Sequence, residues 1–199
     1  GGLLMLTAQA VRASELFTGQ VYPAGTAEHI CAELTERKEN LILSGMPGSG
    51  KTTVGRLLAR KTGRAFLDLD EEIARRLGKT PVDLIAGDGE AAFRDIETAV
   101  LREVSAGLSG SVLALGGGTV LREENVTMLR RNGRICFLDR PVSDLLPTPD
   151  RPLSATREAL EKRYAERIDR YLATADLRVA GFRTPEEAAE IIERSRKKG

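Results

Sequence analysis

Apolar and polar residues alternate in blocks along most of this chain. Five short apolar runs have the length of buried strands: Leu41–Ser44, Ala65–Asp68, Ser111–Leu115, Ile135–Asp139 and Leu177–Ala180. Longer amphipathic stretches separate these runs. Because successive parallel strands need a crossover connection, usually a helix, this order predicts a five-stranded parallel sheet with helices on both faces. The predicted fold class is therefore α/β.

The amphipathic stretches are predicted to be helices with turn or capping residues at their ends. The predicted helices are Lys51–Lys61, Glu71–Leu108 with breaks at Gly78 and Gly87, Glu123–Asn132, Arg157–Ala173 and a last helix with Pro185 at its first position. Gly133 is expected to end the third of these helices. Thr184, with Glu187 three residues later, is a typical capping pair for the last one.

The first 39 residues follow a different pattern. Apolar residues recur at helical spacing from Leu3 to Phe17, and Gly19 follows as a stop signal. Residues 20–25 contain proline and glycine and are expected to form a linker, after which Thr26 is predicted to cap a short helix. We therefore expect a helical extension and linker over residues 1–39 and a main domain that begins near Asn40.

Composition excludes some classes of protein. Thirty basic and twenty-nine acidic residues give a formal net charge of +1, which does not indicate a nucleic-acid or acidic-membrane surface. No apolar run is long enough to span a bilayer, and the apolar start lacks the basic flank and cleavage pattern of a signal peptide. Cys31 and Cys136 lie far apart, so no disulfide is expected. We expect a soluble, cytoplasmic protein.

The strongest local signal is a phosphate-binding loop between the first strand and the first helix of the main domain. Its residues match G-x-x-x-x-G-K-[ST]: Gly45, Met46, Pro47, Gly48, Ser49, Gly50, Lys51 and Thr52, with Thr53 next in the helix. Such a loop directs backbone N–H groups at the phosphates of a nucleotide. Lys51 is expected to bridge the β- and γ-phosphates and Thr52 to bind Mg²⁺. The predicted ligands are therefore ATP and Mg²⁺.

The loop alone does not identify the phosphate acceptor, because GTPases, motors and small-molecule kinases all have one. GTPases read guanine with an Asn-Lys-x-Asp element. None of Asn40, Asn125 and Asn132 is followed by lysine, so a guanine-nucleotide switch is disfavoured.

Three further groups of residues are candidates for the acceptor site. The carboxylates of Asp68 and Asp70 are predicted to alternate at the carboxyl end of the second strand, at the sheet edge where α/β proteins bind ligands, although such a pair is also common as a plain strand end and helix cap. Arg94 and Glu97 have the spacing of a solvated ion pair on a helix. The glycines 116–118 follow the third strand and are predicted to let a ligand approach the backbone and its N–H donors.

Taken together, these motifs resemble the shikimate kinase family. Besides the phosphate-binding loop, the resemblance rests on Phe66–Asp70, Asp88–Glu90, Phe93–Glu97, Gly116–Gly118 and Arg151–Leu153, in this order. It covers the chain from about Leu41 to the end, so residues 40–199 are identified as the kinase domain. The resemblance implies a three-layer P-loop kinase fold. It also implies ATP-dependent phosphorylation of a shikimate hydroxyl, giving shikimate 3-phosphate on the route to chorismate and aromatic amino acids.

The resemblance also implies roles for individual residues. Asp70 would contact the shikimate hydroxyls and is the candidate base, while Arg94 and Arg167 would bind the carboxylate. Arg170 lies close to Arg167 and competes for that assignment. Arg151 would close over the transferring phosphoryl group from the lid. The remaining implied assignments are Lys51 as a catalytic residue, Gly116, Gly117 and Gly118 as lining of the acceptor pocket, and Asp68 with Thr52 as the magnesium site.

Two segments depart from the family pattern. The lid at residues 141–150 is short and lacks the arginine that usually packs on adenine, a role that Arg140 does not match. The segment Gly2–Gly19 resembles the terminal helix of shikimate dehydrogenase, in which the glutamine corresponding to Gln9 contacts substrate. We therefore expect a fragment of a fused dehydrogenase–kinase. The resemblance to shikimate kinases also implies a monomeric kinase domain.

Two alternatives remain at this point. A related small-molecule kinase, for gluconate or a nucleoside monophosphate, would share the fold and the phosphate-binding loop. A regulatory protein would bind nucleotide without turnover, and acceptor-dependent ATP consumption distinguishes it from any kinase.

Overall fold

The computed structural model describes residues 2–131, 133–145 and 156–196. These form two compact units, Gly1–Glu39 and Asn40–Gly199. The first unit contains helix α1 (Gly2–Thr18) and helix α2 (Thr26–Lys38). The prediction that Thr26 caps α2 is wrong: the cap position is Gly25, at φ 88°, and no side chain caps the helix there. The Thr26 hydroxyl instead donates to the carbonyl of Pro23 at 2.7 Å.

The second unit is built on a sheet of five parallel strands in the order β2-β3-β1-β4-β5. The strands are β1 (Asn40–Ser44), β2 (Phe66–Asp68), β3 (Val112–Ala114), β4 (Gly133–Asp139) and β5 (Leu177–Ala180). Every residue of β1 is buried, as expected for a central strand with helices on both faces. The predicted five-stranded parallel sheet is confirmed.

Six α-helices of the described residues cover this sheet. They are α3 (Lys51–Thr62), α4 (Leu69–Leu77), α5 (Pro81–Gly107), α6 (Glu123–Arg130), α7 (Arg157–Thr174) and α8 (Pro185–Arg196). Side chains of β1 alternate between two apolar clusters: Ile42 packs in one, Leu41 and Leu43 in the other. None of the helices in the described residues is long and apolar enough to cross a membrane.

Two predicted glycine positions differ from the structure. The break inside α5 lies at Gly89, at φ 87° and ψ 163°, and not at Gly87. Helix α6 ends at Arg130, so Gly133 does not end a helix but begins β4. A Cβ at Gly133 would lie 3.1 Å from the carbonyl oxygen of Asn40 on the neighbouring strand, so close strand packing explains this glycine.

The sheet order determines where the candidate residues meet. Because β1, β2 and β3 are parallel neighbours, their carboxyl ends lie at one edge of the sheet. The phosphate-binding loop follows β1, Asp68 ends β2, and Gly116 follows β3 shortly after its last residue. Three segments that are distant in sequence therefore come together.

Candidate active site

The loop after β1 has the backbone of a phosphate cradle. Gly45, Gly48 and Gly50 have φ values of 146°, 80° and 93°, a region that other residues rarely adopt. Gly50 directly precedes the N-terminus of α3, which adds unpaired N–H groups and the positive end of the helix dipole. The ammonium group of Lys51 donates to the carbonyl oxygens of Gly45 at 3.0 Å and Met46 at 2.9 Å. Lysine thus lies over the loop, where the phosphates would bind.

The other residues of the loop contribute in different ways. The side chain of Met46 packs in the apolar core, so only its backbone can face a nucleotide. Pro47 lines a cavity beside the loop, which is described below. Thr53 is exposed in the first turn of α3. The Ser49 hydroxyl is buried and has no hydrogen-bond partner in the described residues.

A hydroxyl and a carboxylate meet beside this loop. The hydroxyl of Thr52 donates to Oδ2 of Asp68 at 2.6 Å. Oδ1 of Asp68 accepts from the backbone N–H groups of Asp70, at 3.0 Å, and Glu71, at 3.3 Å, and so caps α4. Oxygen ligands of this kind suit Mg²⁺, which usually takes one or two protein oxygens together with phosphate oxygens and water. Thr52 and Asp68 therefore fit a magnesium site.

The prediction that the carboxylates of Asp68 and Asp70 alternate at the end of a strand is wrong. Strand β2 ends at Asp68, and Asp70 lies in the first turn of α4. The two carboxylates therefore diverge because Asp68 caps the helix that carries Asp70, and not because they alternate along a strand. Asp70 lines the cavity described next.

A cavity of about 350 Å³ lies beside the phosphate-binding loop. Helices α5 and α7 and the loop after β3 supply most of its wall. The predicted acceptor residues all line it: Asp70, Arg94, Gly116, Gly117, Gly118 and Arg167. The structure therefore brings together every substrate-binding residue that the sequence analysis named.

The pair formed by Arg94 and Glu97 is buried, and the alternative of a solvated surface pair is wrong. The side chain of Arg94 is 12% exposed and that of Glu97 is 0% exposed. Nη1 of Arg94 donates to Oε2 of Glu97 at 2.6 Å, and the hydroxyl of Thr119 donates to Oε1 at 2.6 Å. Burial opposes the charge of Arg94, but its ion pairs with Glu97 and Glu90 outweigh burial and raise its pKa. Glu97 thus fixes the guanidinium in place.

The three glycines after β3 make room for these side chains. A Cβ at Gly116 would lie 2.5 Å from Oε1 of Glu97 and 2.8 Å from Oδ1 of Asp70, and one at Gly118 would overlap the guanidinium of Arg94. A Cβ at Gly117 would lie 3.0 Å from the ring of Pro47. Sequence analysis expected a ligand to approach this backbone. In the structure, the protein's own charged groups already do so.

Arg167 and Arg170 have different partners. Arg167 lies in the cavity with an 8% exposed side chain, and its Nη1 donates to the carbonyl oxygen of Gly117 at 3.1 Å. The hydroxyl of Tyr171, one turn later, donates to the same oxygen. Arg170 turns away and pairs with Glu123 at 2.7 Å. Arg167, and not Arg170, therefore lines the cavity.

Glu90 joins the two cavity arginines. Its Oε1 lies 3.1 Å from Nη2 of Arg94 and 3.3 Å from Nη2 of Arg167. Burial alone would raise the pKa of Glu90, but Arg94 and the neighbouring arginines 167 and 163 outweigh it and lower the pKa. Glu90 is therefore a carboxylate in a cluster of cations.

Comparison with known proteins identifies the family. The shikimate kinase family model matches residues 47–196. A shikimate kinase of Synechococcus elongatus is 43% identical over 148 residues, 71% of this chain and 76% of the relative. One of Chromohalobacter salexigens is 41% identical over 166 residues, 79% of this chain and 92% of the relative. The chain belongs to the shikimate kinase family.

Solved structures agree with this assignment. Shikimate kinase from Acinetobacter baumannii in complex with shikimate has a TM-score of 0.76 and 32% identity, covering 84% of this chain and 98% of that one. Shikimate kinase from Aquifex aeolicus has a TM-score of 0.69 and 32% identity, covering 79% and 96%. The predicted family, fold, enzyme class and use of ATP with Mg²⁺ are thus confirmed.

Some family assignments fall outside the structure. Arg151 lies outside the described residues, and of the lid segment 141–150 only the first five residues are described. The dehydrogenase-like helix at Gly2–Gly19 stays a prediction.

The sequence-based predictions assigned no role to three residues that lie in the shikimate kinase cavity or hold its lining in place. Thr119 holds Glu97, and Tyr171 holds the Gly117 carbonyl. Arg163 lines the cavity. Arg163, Arg167 and Tyr171 are spaced four residues apart on α7, and this repeat was the available signal.

Proposed function

We propose that this chain transfers the γ-phosphoryl group of ATP to a hydroxyl of shikimate and forms shikimate 3-phosphate and ADP. The observation that carries the proposal is the pairing of a phosphate cradle with a cavity lined by the carboxylate of Asp70 and by the mostly buried arginines Arg94 and Arg167. A small acceptor with hydroxyl groups and one carboxylate matches these groups. Family membership and the solved shikimate complex of a relative support it.

Arg94 and Arg167 are proposed to bind the substrate carboxylate. Both guanidinium groups line the cavity and are mostly buried, where charge-assisted hydrogen bonds are stronger than at a surface. Glu97 keeps Arg94 in position, and the Gly117 carbonyl does the same for Arg167. Both donors are thus already oriented before the substrate arrives.

Asp70 is proposed to orient the attacking hydroxyl and to take its proton. It lies at the Gly116 end of the glycine turn, whereas Arg94 lies at the Gly118 end. A substrate held by its carboxylate would therefore present hydroxyl groups toward Asp70 and the phosphate-binding loop. Phosphoryl transfer needs this positioning more than it needs covalent chemistry.

Lys51 and the loop N–H groups are proposed to hold the β- and γ-phosphates. Thr52 and Asp68 would hold Mg²⁺, which neutralises phosphate charge when bound. The family pattern adds Arg151 as a lid residue over the transferring group.

A coupled ADP-release assay tests the function. Shikimate is compared with gluconate and with nucleoside monophosphates, at fixed ATP and Mg²⁺, for the natural chain and for Asp70→Asn. We expect turnover with shikimate alone and a loss of at least about 100-fold in kcat for the variant, the usual size of a general-base contribution. ATP binding without turnover on any acceptor would instead indicate a regulatory protein.

Three further proposals concern organisation. Residues 1–39 are proposed to be the end of a shikimate dehydrogenase fused to the kinase domain, on the resemblance of Gly2–Gly19. The kinase domain is proposed to be monomeric, which light scattering on the purified chain would test. We also propose a cytoplasmic location, because the substrate is ATP and Cys31 and Cys136 are both free thiols.

A further inference from the structure

The acceptor cavity holds a third arginine that the roles above leave unused. Arg163 lies on α7 one helical turn before Arg167, and both side chains line the cavity. Residues four apart on a helix lie on the same face, with Cβ atoms roughly 5–6 Å apart. Arg163 is therefore a neighbour of the two arginines proposed to bind the substrate carboxylate.

Arg163 differs from those two arginines in its partners. Arg94 pairs with Glu97 and Glu90, and Arg167 pairs with Glu90. Within the three described ranges of the chain, Arg163 has no hydrogen bond or ion pair. Burial and the nearby charge of Arg167 lower its pKa. The cavity thus contains a guanidinium that lacks a bonded anion.

Glu90 bonds both arginines that are proposed to bind the substrate carboxylate. It is bonded to Nη2 of both Arg94 and Arg167, at 3.1 and 3.3 Å. A substrate carboxylate bound to the same two guanidinium groups would repel Glu90, because two negative charges at one site raise its free energy. Glu90 directly follows the helix break at Gly89, so it starts a helical segment and does not lie in the middle of one.

The charges of the cluster support an exchange of partners. Arg94, Arg163 and Arg167 carry three positive charges, and Glu90 and Glu97 carry two negative ones. These five side chains therefore carry a net charge of +1, which one substrate carboxylate neutralises. Complete pairing then requires Glu90 to move to the arginine that has no partner.

We propose that Arg163 accepts Glu90 when the substrate carboxylate takes Arg94 and Arg167. Arg163 is then a positioning residue that determines how readily a carboxylate-bearing acceptor enters the cavity. This inference rests on the proposed function, since it takes the acceptor to be a carboxylate. Arg163 lowers the free energy of displacing Glu90 and touches no reacting atom. Its effect should therefore be on KM for shikimate much more than on kcat.

The test is a double-mutant cycle between Arg163→Leu and Glu90→Gln, read as KM and kcat for shikimate. We expect Arg163→Leu to raise KM roughly fivefold, in the range of a partly exposed ion pair. In the Glu90→Gln background no carboxylate has to move, so the same change should raise KM less than about 1.5-fold. Arg163→Lys keeps the charge and should restore KM to within about twofold of the natural value.

Lys162→Leu is the matched control, because Lys162 is the preceding cation on α7, is exposed and does not line the cavity. An equal KM effect of Arg163→Leu in both backgrounds would overturn the proposal, because Arg163 would then act without Glu90. An effect no larger than that of the control would also overturn it. Absence of shikimate turnover in the natural chain would instead defeat the proposed function, so the two failures are distinguishable.

Discussion

Replacing Glu97 by glutamine is expected to weaken both the fold and the binding of shikimate. The change keeps the shape of the side chain and removes the charge opposite Arg94. Glu97 is fully buried and bonds both Arg94 and Thr119 at 2.6 Å. Breaking a buried ion pair by removing one partner costs about 3–5 kcal/mol. Glu90 remains as a second partner of Arg94 at 3.1 Å. We therefore expect the substitution to lower the free energy of unfolding by about 2–3 kcal/mol.

The effect on binding follows from the loss of orientation. Once the charge of Glu97 is removed, Glu90 is the remaining anionic partner of Arg94 among the described residues, and the substrate is proposed to displace Glu90. A hydrogen bond to a charged group contributes about 1.5–3 kcal/mol. A loss of binding free energy near the lower end of that range raises KM for shikimate about tenfold. KM for ATP should remain nearly unchanged.

Urea unfolding and ADP-release kinetics measure the two effects on the same protein. Glu190→Gln is the matched control, because Glu190 pairs with Arg194 at an exposed site on α8, also within one helical turn. Such a pair contributes less than about 0.5 kcal/mol. If Glu97→Gln destabilised the protein no more than this control and left KM for shikimate unchanged, the role assigned to Glu97 would be wrong.

Two further predictions address the glycine turn and pH. In Gly118→Ala the new Cβ overlaps the Arg94 guanidinium. We expect the free energy of unfolding to fall by about 1–3 kcal/mol and KM for shikimate to rise about tenfold. Unchanged kinetics would refute the close packing. The pKa of Glu90 is lowered by its arginines, so the unfolded chain binds more protons near pH 4.5 and the stability that Glu90 contributes is lost as pH falls through its folded pKa. The difference in urea unfolding between the natural chain and Glu90→Gln should therefore be constant above about pH 5.5 and shrink in more acidic buffer. If the difference in unfolding free energy between the two proteins grew as the pH fell, the predicted direction of the pH dependence would be wrong.

The fold was largely predictable because strand length and helical spacing are local properties. The strand Leu177–Ala180 was predicted with its bounds, and Lys51 was correctly placed at the start of a helix. The break in α5 was not predictable, because Gly87 and Gly89 are both glycines and only the packed structure selects the left-handed φ of Gly89. Gly133 resembled a helix stop but is required by the neighbouring strand.

The residues that line the cavity were predictable from the motifs, whereas the burial of their charges was not. The spacing of Arg94 and Glu97 is the same in a surface pair and in a buried one. Burial is decided by the turn at Gly118 and Thr119, which is distant in sequence and packs against both side chains. Within the described part of the chain Arg163 lacks an ion pair, and this depends likewise on which residues α7 faces.

The most direct test of the central claim is to identify the product by phosphorus and proton NMR after incubation with ATP, Mg²⁺ and shikimate. The account predicts one new phosphate ester for each ADP released, with its phosphorus coupled to the proton on C3 of shikimate. Release of inorganic phosphate alone, or coupling of the phosphorus to a different ring proton, would contradict it.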